Sequence, residues 1–501
     1  MLKTTAKTFF GLFAFLLLLV LLWLSWALWL NRHDEALTPE AEAMLSYRPQ
    51  EVPDAENGYV MMVGFTAPAG SDWKKVGAER IAHENKQVNW WMEEEPIRRF
   101  EEEDAQKLKF SERGDYGTAA MFLSHPGLTS GDSSTRVSGA FGSQYHFVSL
   151  DPAINGGDCA RPVFKGADES ALLAELQSLP QQEERLKNLL ADNSELISRY
   201  EAVQSFQAFS ERAGAPWAVP DYGEVSATRE LLLAQLSLVA LNGKREPLLD
   251  FLERDLAFWR MLMSSDSSLF TAAIGTASIA RTLQLLRALL TKIDFSASEL
   301  ERLRRLLTPL SKEELSLVRT LENEAASVAN TFLLKKGASQ NDWAGRFLQW
   351  FFQPQASVNF YAERMRPWKE LASMPTPEFA TRSAVADTIN RTKPFPYNEL
   401  GIGLIAMATT NSYENYIASR HDLAAALQLT RAVLELRINK IDADNNPEAV
   451  PEFLAQADPA TLNPYTGKPF DWNESCRRLS FTPQSERFSR DFSGVTLAKC
   501  S

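Results

Sequence analysis

The chain opens on an unbroken apolar run. Phe9 to Leu30 carries no charge and is interrupted only by Gly11 and Ser25. Its 22 residues, at ~1.5 Å rise each, give roughly 33 Å of helix, enough to cross a bilayer core. Lys3 and Lys7 precede the run, and Arg32, His33, Asp34 and Glu35 follow it. The positive bias predicts a cytoplasmic N-terminus with the remainder outside. Trp23, Trp26 and Trp29 cluster near the outer end, where indole rings prefer the interface. The rival reading is a cleaved signal peptide, because Ser25 and Ala27 are small at the two positions that determine cleavage. The run exceeds the ~7–15 residues of a usual signal core and continues past that site, which favours an uncleaved anchor. No later run is expected to span, and Leu400 to Ala408 is too short.

Beyond the anchor (residues 1–31), a polar stretch over 32–50 reads as a linker. The region 51–166 is mixed and predicts an irregular α+β segment. Tyr59 to Phe65 is a buried strand or a short apolar helix, and Thr66 to Gly70 turns the chain. Glu93, Glu94, Glu95 and Glu101 to Asp104 read as a solvated helix face, and Asn155 to Asp158 as a loop.

From 167 to 440 the apolar spacing is helical. Leu172, Leu173, Leu176 and Leu179 fall on one face, and a further helix runs from Arg185 to Val203. Arg229 to Leu241 ends at Asn242-Gly243, and Pro247 sits in the first turn of the next helix, which makes an αα-hairpin. Leu269 to Leu290 carries Ala272, Ala273, Gly275, Ala277 and Ala280; such small residues let backbones approach, so this helix is expected near the centre. Ser296 with Glu299, and Ser311 with Glu314, are capping-box patterns. The second opens a helix expected to reach Leu334. Helices are expected at 342–352, 356–369 and, with breaks, 400–440. Residues 441–501 are a Pro- and Asn-rich loop followed by a short-stranded tail. The predicted fold is mainly α: an N-terminal transmembrane helix, a multi-helix αα-hairpin body and a small β-hairpin-containing end.

Charge narrows the partners. Net charge is −12, and the chain without its first 31 residues, which hold Lys3 and Lys7 and no acid, carries −14. Such a body repels nucleic acid and anionic lipid. Three cysteines, Cys159, Cys476 and Cys500, cannot all pair within one chain. Cys476 opens one strand-like stretch and Cys500 ends another, so a hairpin would bring them together; three free thiols are the alternative. The spacing excludes a CxxC redox motif and a Cys-rich zinc site. No cysteine near the apolar run excludes a lipoprotein anchor.

Candidate chemistry is sparse. No GxSxG elbow, Walker loop or GxGxxG is present. Ser71 and Lys74 match an S-x-x-K spacing, without its companion S-D-N and K-T-G elements. Asp442, Asp444, Asn446 and Glu448 alternate like a calcium loop but lack its Gly and distal Glu, so a solvated turn is the expectation. His83-Glu84 lacks the second His of a zincin, and His421 is placed at a helix start with Asp422 as cap. Trp343, Phe347, Trp350 and Phe351 share one helical face; they are core by the usual fate of such residues, or a partner surface. No catalytic residue, cofactor or metal ligand is assigned.

Several segments resemble those of an uncharacterised family of single-pass envelope proteins from Gram-negative bacteria. They are Asn57 to Gly70, Phe352 to Asn359, Tyr413 to Tyr416 with Arg420 to Leu423, and Asn463 to Phe470. The last is also locally similar to the tail of secretion pseudopilins. The resemblance implies an inner-membrane protein with a periplasmic body and carries no mechanism. The expected function is a binding or scaffold module for envelope proteins, without nucleic acid. The alternatives are an envelope enzyme acting on cell-wall or lipid material, with Glu93 to Glu95 or Ser71 and Lys74 at its site, and a sensor responding through a tail disulfide.

Overall fold

The apolar run folds as a single helix, α1 (Leu2–Leu30), whose Phe13–Leu30 portion is almost wholly exposed. The computed structural model describes residues 2–92, 169–211, 219–334, 351–382, 395–408, 412–443, 445–485 and 493–497. Helix makes up 68% of the structure, which places it in the mainly α class.

The expected linker is instead packed structure. It contains α2 (Pro39–Ser46), capped by Thr38, with Ala41 and Met44 buried against the body. Tyr59 to Val63 is a helix rather than a strand: α3 (Gly58–Val63), capped by Asn57. It lies close against α4 (Trp73–Met92). A Cβ on Gly77 would collide with the Val60 carbonyl, and one on Gly64 with the Trp73 carbonyl, so the two backbones approach as only glycines permit. Residues 93–168, including Glu93 to Asp104 and Cys159, lie outside the described residues.

The body begins with α5 (Glu169–Ser178), α6 (Glu183–Asp192) and α7 (Ser194–Val203). The stretch expected as one helix from Arg185 to Val203 is thus two, divided at the buried Asn193. Next come α8 (Tyr222–Leu241) and α9 (Glu246–Ser264), joined through Gly243 at φ +92° with Pro247 in the first turn of α9. α10 (Leu269–Lys292) passes a length-and-composition test for a span, contrary to the expectation that no later run would. It is two-thirds buried and packs against α9 and the long helix near the C-terminus, so it is the core helix its small residues predict. Cβ of Met263 on α9 lies 3.2 Å from where a Cβ on Gly275 would sit.

Both capping boxes form, at α11 (Ala297–Leu306) and α12 (Lys312–Leu315). The helix from Ser311 does not run on to Leu334. It breaks at Ser316, which is extended, and resumes as α13 (Val318–Leu334). The break lets the Leu317 N–H donate to the Ala372 carbonyl of α14 (Pro354–Ala372) at 3.3 Å. α15 (Thr376–Ala380), α16 (Glu399–Ala408), the long α17 (Ser412–Ile438) and α18 (Ala449–Ala455) follow.

The tail is a three-stranded antiparallel sheet, β1 (Asp471–Asn473), β2 (Arg478–Ser480) and β3 (Gly494–Thr496), in the order β1-β2-β3. Leu479 pairs with Trp472 on one side and Val495 on the other; Leu479 and Val495 are fully buried, and β3 packs on α17.

One buried ion pair ties four of these helices. Arg229 on α8 grips Asp255 on α9 through Nη2 to Oδ2 at 2.7 Å. Tyr200 on α7 donates to Asp255 Oδ1 at 2.6 Å, and Gln204 Nε2 at 3.2 Å. Arg229 also donates to the Ser278 carbonyl on α10. Burial by itself disfavours the guanidinium charge, but Asp255 more than offsets this and the net pKa shift is upward. Asp255→Ala leaves that cation buried and alone, so it is expected to cost about 3–5 kcal/mol. Tyr200→Phe, which removes one donor of several, should cost about 1 kcal/mol. Denaturant unfolding of the detergent-solubilised chain measures both. Equal losses would show that the carboxylate's pairing with Arg229 matters no more than its bond from Tyr200.

Candidate functional site

The end of α1 is built into the body. Leu24, Ala27, Leu28 and Asn31 fall on one helical face, and Ala27 and Asn31 on it are buried. The Asn31 side chain donates to the Ala27 carbonyl at 2.9 Å and to the Pro396 carbonyl at 3.0 Å. Its Oδ1 accepts from the Asn398 N–H at 2.9 Å, and its backbone carbonyl accepts from Gln353 Nε2 at 2.6 Å. One residue therefore binds the end of α1 to two chain segments more than 300 positions away. Asn398, at φ +50°, turns its own carboxamide to accept from the Gln353 N–H.

Asp34 completes the junction. Its two oxygens accept from the N–H groups of Gln355 and Ala356 at 2.8 and 2.9 Å. These are donors at the start of α14 that no preceding turn satisfies, and Gln353 makes no side-chain cap there. A carboxylate at a helix N-terminus is also favoured by the helix dipole. Asn359, one turn on, accepts from Thr38 N–H and donates to the Ala36 carbonyl, both at 2.8 Å. Gly401 lies so close that any Cβ would strike Ser357 and Asn398.

Beside this junction lies a cleft of about 460 Å³ between α2, α13 and α14. Met44, Ala325, Phe360 and Met365 supply apolar surface, while Glu40, Glu322, Glu363, Arg366 and Lys369 bring charge to it. Lys369 and Glu322 pair at 3.7 Å. Burial, and then the Asp266 carboxylate, push the Tyr47 phenol in this cleft up to about 12, so it stays a neutral hydroxyl at physiological pH. The cleft thus combines a patch of apolar surface with a mostly polar and charged lining.

A second polar cluster sits within α17. His421 is not at a helix start: α17 begins nine residues earlier, at Ser412, and Arg420, His421 and Asp422 are all buried. Arg420 clamps the Glu314 carbonyl at 2.5 Å and the Met263 carbonyl at 3.2 Å. His421 stacks on Phe379, centroids 4.1 Å apart, with Nδ1 3.0 Å from the Thr376 hydroxyl. Its Nε2 has no hydrogen-bond partner among the described residues. Burial, reinforced by Arg382 and Arg420, holds its pKa down at about 3. Asp422 caps no helix. It accepts from Tyr465 Oη at 2.6 Å and from the N–H groups of Gln484 and Ser485 at 2.9 and 2.8 Å, which fastens the tail to α17. Burial raises it to about 6 despite those donors.

The residues singled out in the sequence scatter. Trp343, Phe347 and Trp350 lie outside the described residues, while Phe351 is half-buried and its carbonyl accepts from Leu400 N–H at 3.2 Å. The Ser71 hydroxyl donates to the Pro68 carbonyl at 2.6 Å rather than pairing with the exposed Lys74. Asp442 Oδ1 accepts from Asn445 N–H at 3.1 Å, as expected of a solvated turn, and Asp444 lies outside the described residues. Cys476 is exposed between β1 and β2; Cys500 lies outside the described residues. Among the described residues no cluster of His, Cys, Asp and Glu is placed to hold a metal ion. Sequence reasoning missed Asn31, Asp34 and Asn398. The only local signal was an Asn just past an apolar run, with an Asp in the polar stretch that follows it.

A pH dependence follows from His421. Its folded pKa lies below the ordinary 6.5, so its contribution to stability is full above that value and falls as the unfolded chain gains a proton below it. His421→Gln removes this linkage. The melting temperature of the variant, relative to wild type, is expected to rise as pH falls from 7 to 5; a difference independent of pH would contradict the buried neutral ring. Asp422 acts oppositely between about pH 4 and 6 in both proteins, so the comparison cancels it to first order.

No protein-family model, no curated protein and no solved structure matches this chain.

Proposed function

We propose that the chain is an inner-membrane-anchored, periplasmic binding or scaffold protein of the bacterial envelope, with a cytoplasmic N-terminus. The observation that carries this reading is the junction at Asn31. A leader destined for removal has no need of contacts with the mature body, and processing after Ala27 would cut a helix whose cleavage-site residue is itself buried. Asn31 and Asp34 instead direct their side chains to fixing the body to the helix. The charge bias of Lys3 and Lys7 supports the orientation, and the resemblance to single-pass envelope proteins supports the compartment.

The cleft beside the junction is the proposed binding place. Its volume takes two or three apolar side chains, and its mixed-charge rim suits a polar peptide backbone and flanking charges. The partner is accordingly an envelope protein presenting a short apolar segment near the membrane. An oxidising compartment also favours a Cys476–Cys500 bridge: Cys476 stands two residues before β2 and Cys500 four after β3, and these strands pair antiparallel.

Three measurements test this. An N-terminal epitope tag is expected to stay on the membrane-bound, full-length chain; a shortened, tagless protein in the soluble fraction overturns the anchor. Crosslinking in intact cells, followed by pulldown and mass spectrometry, is expected to give a partner that Ala43→Trp abolishes. Ala43 is exposed in the cleft, so the indole fills it without disturbing the core; a partner retained in full by the folded variant overturns the cleft as its site. Thiol titration of the unfolded, unreduced chain is expected to find one thiol, Cys159, rising to three on reduction; three thiols before reduction overturn the bridge.

A further inference from the structure

The length of α1 left free by the body is too short for a bilayer. Body contacts reach up the exposed helix at least to Trp23, whose ring lies 6.3 Å from that of Phe395. The apolar residues not beyond that point, Phe9 to Trp23, are fifteen in number. At ~1.5 Å each they cover roughly 22 Å, against a hydrocarbon core of about 30 Å. Tilting the helix shortens its reach further. Only by including Leu24 to Leu30 does the apolar run match the membrane, and those are the residues on which the body rests.

We infer that the junction is seated within the body-side leaflet, so that Phe395 forms a second, non-spanning membrane contact. Its partner is the boundary of hydrocarbon and headgroups in the same bilayer. This inference rests on the reading of α1 as an uncleaved anchor.

Three observations carry it beyond the length argument. Phe395 is 55% exposed and carries that open apolar face beside the exposed end of α1, against Trp23. Its ring lies beside that of Trp23, and Trp26 and Trp29 are exposed on the same end of α1, an aromatic composition of the kind that settles at a membrane interface. The two carboxamides at this depth, those of Asn31 and Asn398, are turned inward and satisfied, and the exposed charges begin only beyond them, at Arg32 and His33. Both donors of the Asn31 carboxamide and its acceptor are used by Ala27, Pro396 and Asn398, and the Asn398 carboxamide is taken up by Gln353 and Ser357. Hydrocarbon demands that internal satisfaction, whereas water does not. The body's negative charge gives it no attraction of its own to an anionic surface, so this contact is an apolar one.

The test uses the full-length wild-type chain in mixed phosphatidylethanolamine–phosphatidylglycerol vesicles that contain a phospholipid with a diazirine on its acyl chain. After photolysis, adducts are mapped by mass spectrometry. Peptides of α1 report the anchor, the peptide containing Phe395 reports the proposed contact, and the peptide containing α12, whose Lys312 and Glu313 are exposed, reports background. The expected result is labelling of α1 and of the Phe395 peptide, the latter exceeding background at least about tenfold. Labelling of α1 with the Phe395 peptide at background overturns the inference and leaves the anchor standing. Background labelling of both overturns the anchor reading, and this inference with it.

Discussion

Asn31 is the residue on which the arrangement of this chain turns. A helix leaving an apolar environment ends in carbonyl groups that need donors. Here the exit residue supplies a side chain that closes back on Ala27, reaches across to Pro396 and receives Asn398, while its carbonyl receives Gln353. Four contacts on one buried residue convert a flexible tether into a fixed joint. Asp34 extends the joint by capping α14, so that helix starts where α1 stops. Each hydrogen bond contributes only about 1 kcal/mol net, but a group left unmade at a buried site costs more than it contributes when made. The joint is thus held chiefly by what its disruption would leave unsatisfied.

The same device recurs wherever distant segments meet. Arg229 and Asp255 join α8 to α9 and draw in α7 and α10. Arg287 on α10 reaches the Ala426 carbonyl and the Thr430 hydroxyl of α17, both at 2.8 Å. Asp422 draws the β tail onto α17. Apolar burial supplies most of the driving force for collapse but is indifferent to partner. A long helical chain with many similar leucine faces has many ways to pack them, and buried polar contacts of fixed geometry discriminate among those ways, since a wrong pairing strands a charge.

What could be read in the sequence was local. Capping boxes at Ser296 and Ser311, the Asn242-Gly243 stop and the small-residue face of α10 are signals within one helical turn or one helix, and all of them hold. The break at Ser316 was invisible because the partner it gives Leu317, the Ala372 carbonyl, is 55 positions beyond that residue. Asp422 looked like a cap because a capping residue and a buried acceptor share the same side chain; the Tyr465 and Ser485 groups that make it an acceptor lie more than 40 residues on. Asp34 does act as a helix cap, but for α14, which starts some 320 residues later. Periodicity finds helices; it does not find which helix a polar side chain serves.

A fixed joint has a functional consequence that a tether lacks. The cleft begins at Glu35, four residues past Asn31, and its wall α2 is eight residues long, about 12 Å. On the anchored reading, a binding place built from these parts cannot wander through the periplasm; it is held within a helix length of the bilayer and at one orientation to it. On the same reading, the acidic body would oppose any drift of the remaining surface onto anionic lipid, in the same sense as the proposed apolar contact at the junction. A partner that itself sits in or on the membrane would then meet the cleft in two dimensions rather than three, and a weak apolar contact gains effective concentration from that geometry alone. This favours membrane-proximal segments of envelope proteins over soluble ligands, which derive no such advantage from a cleft placed there.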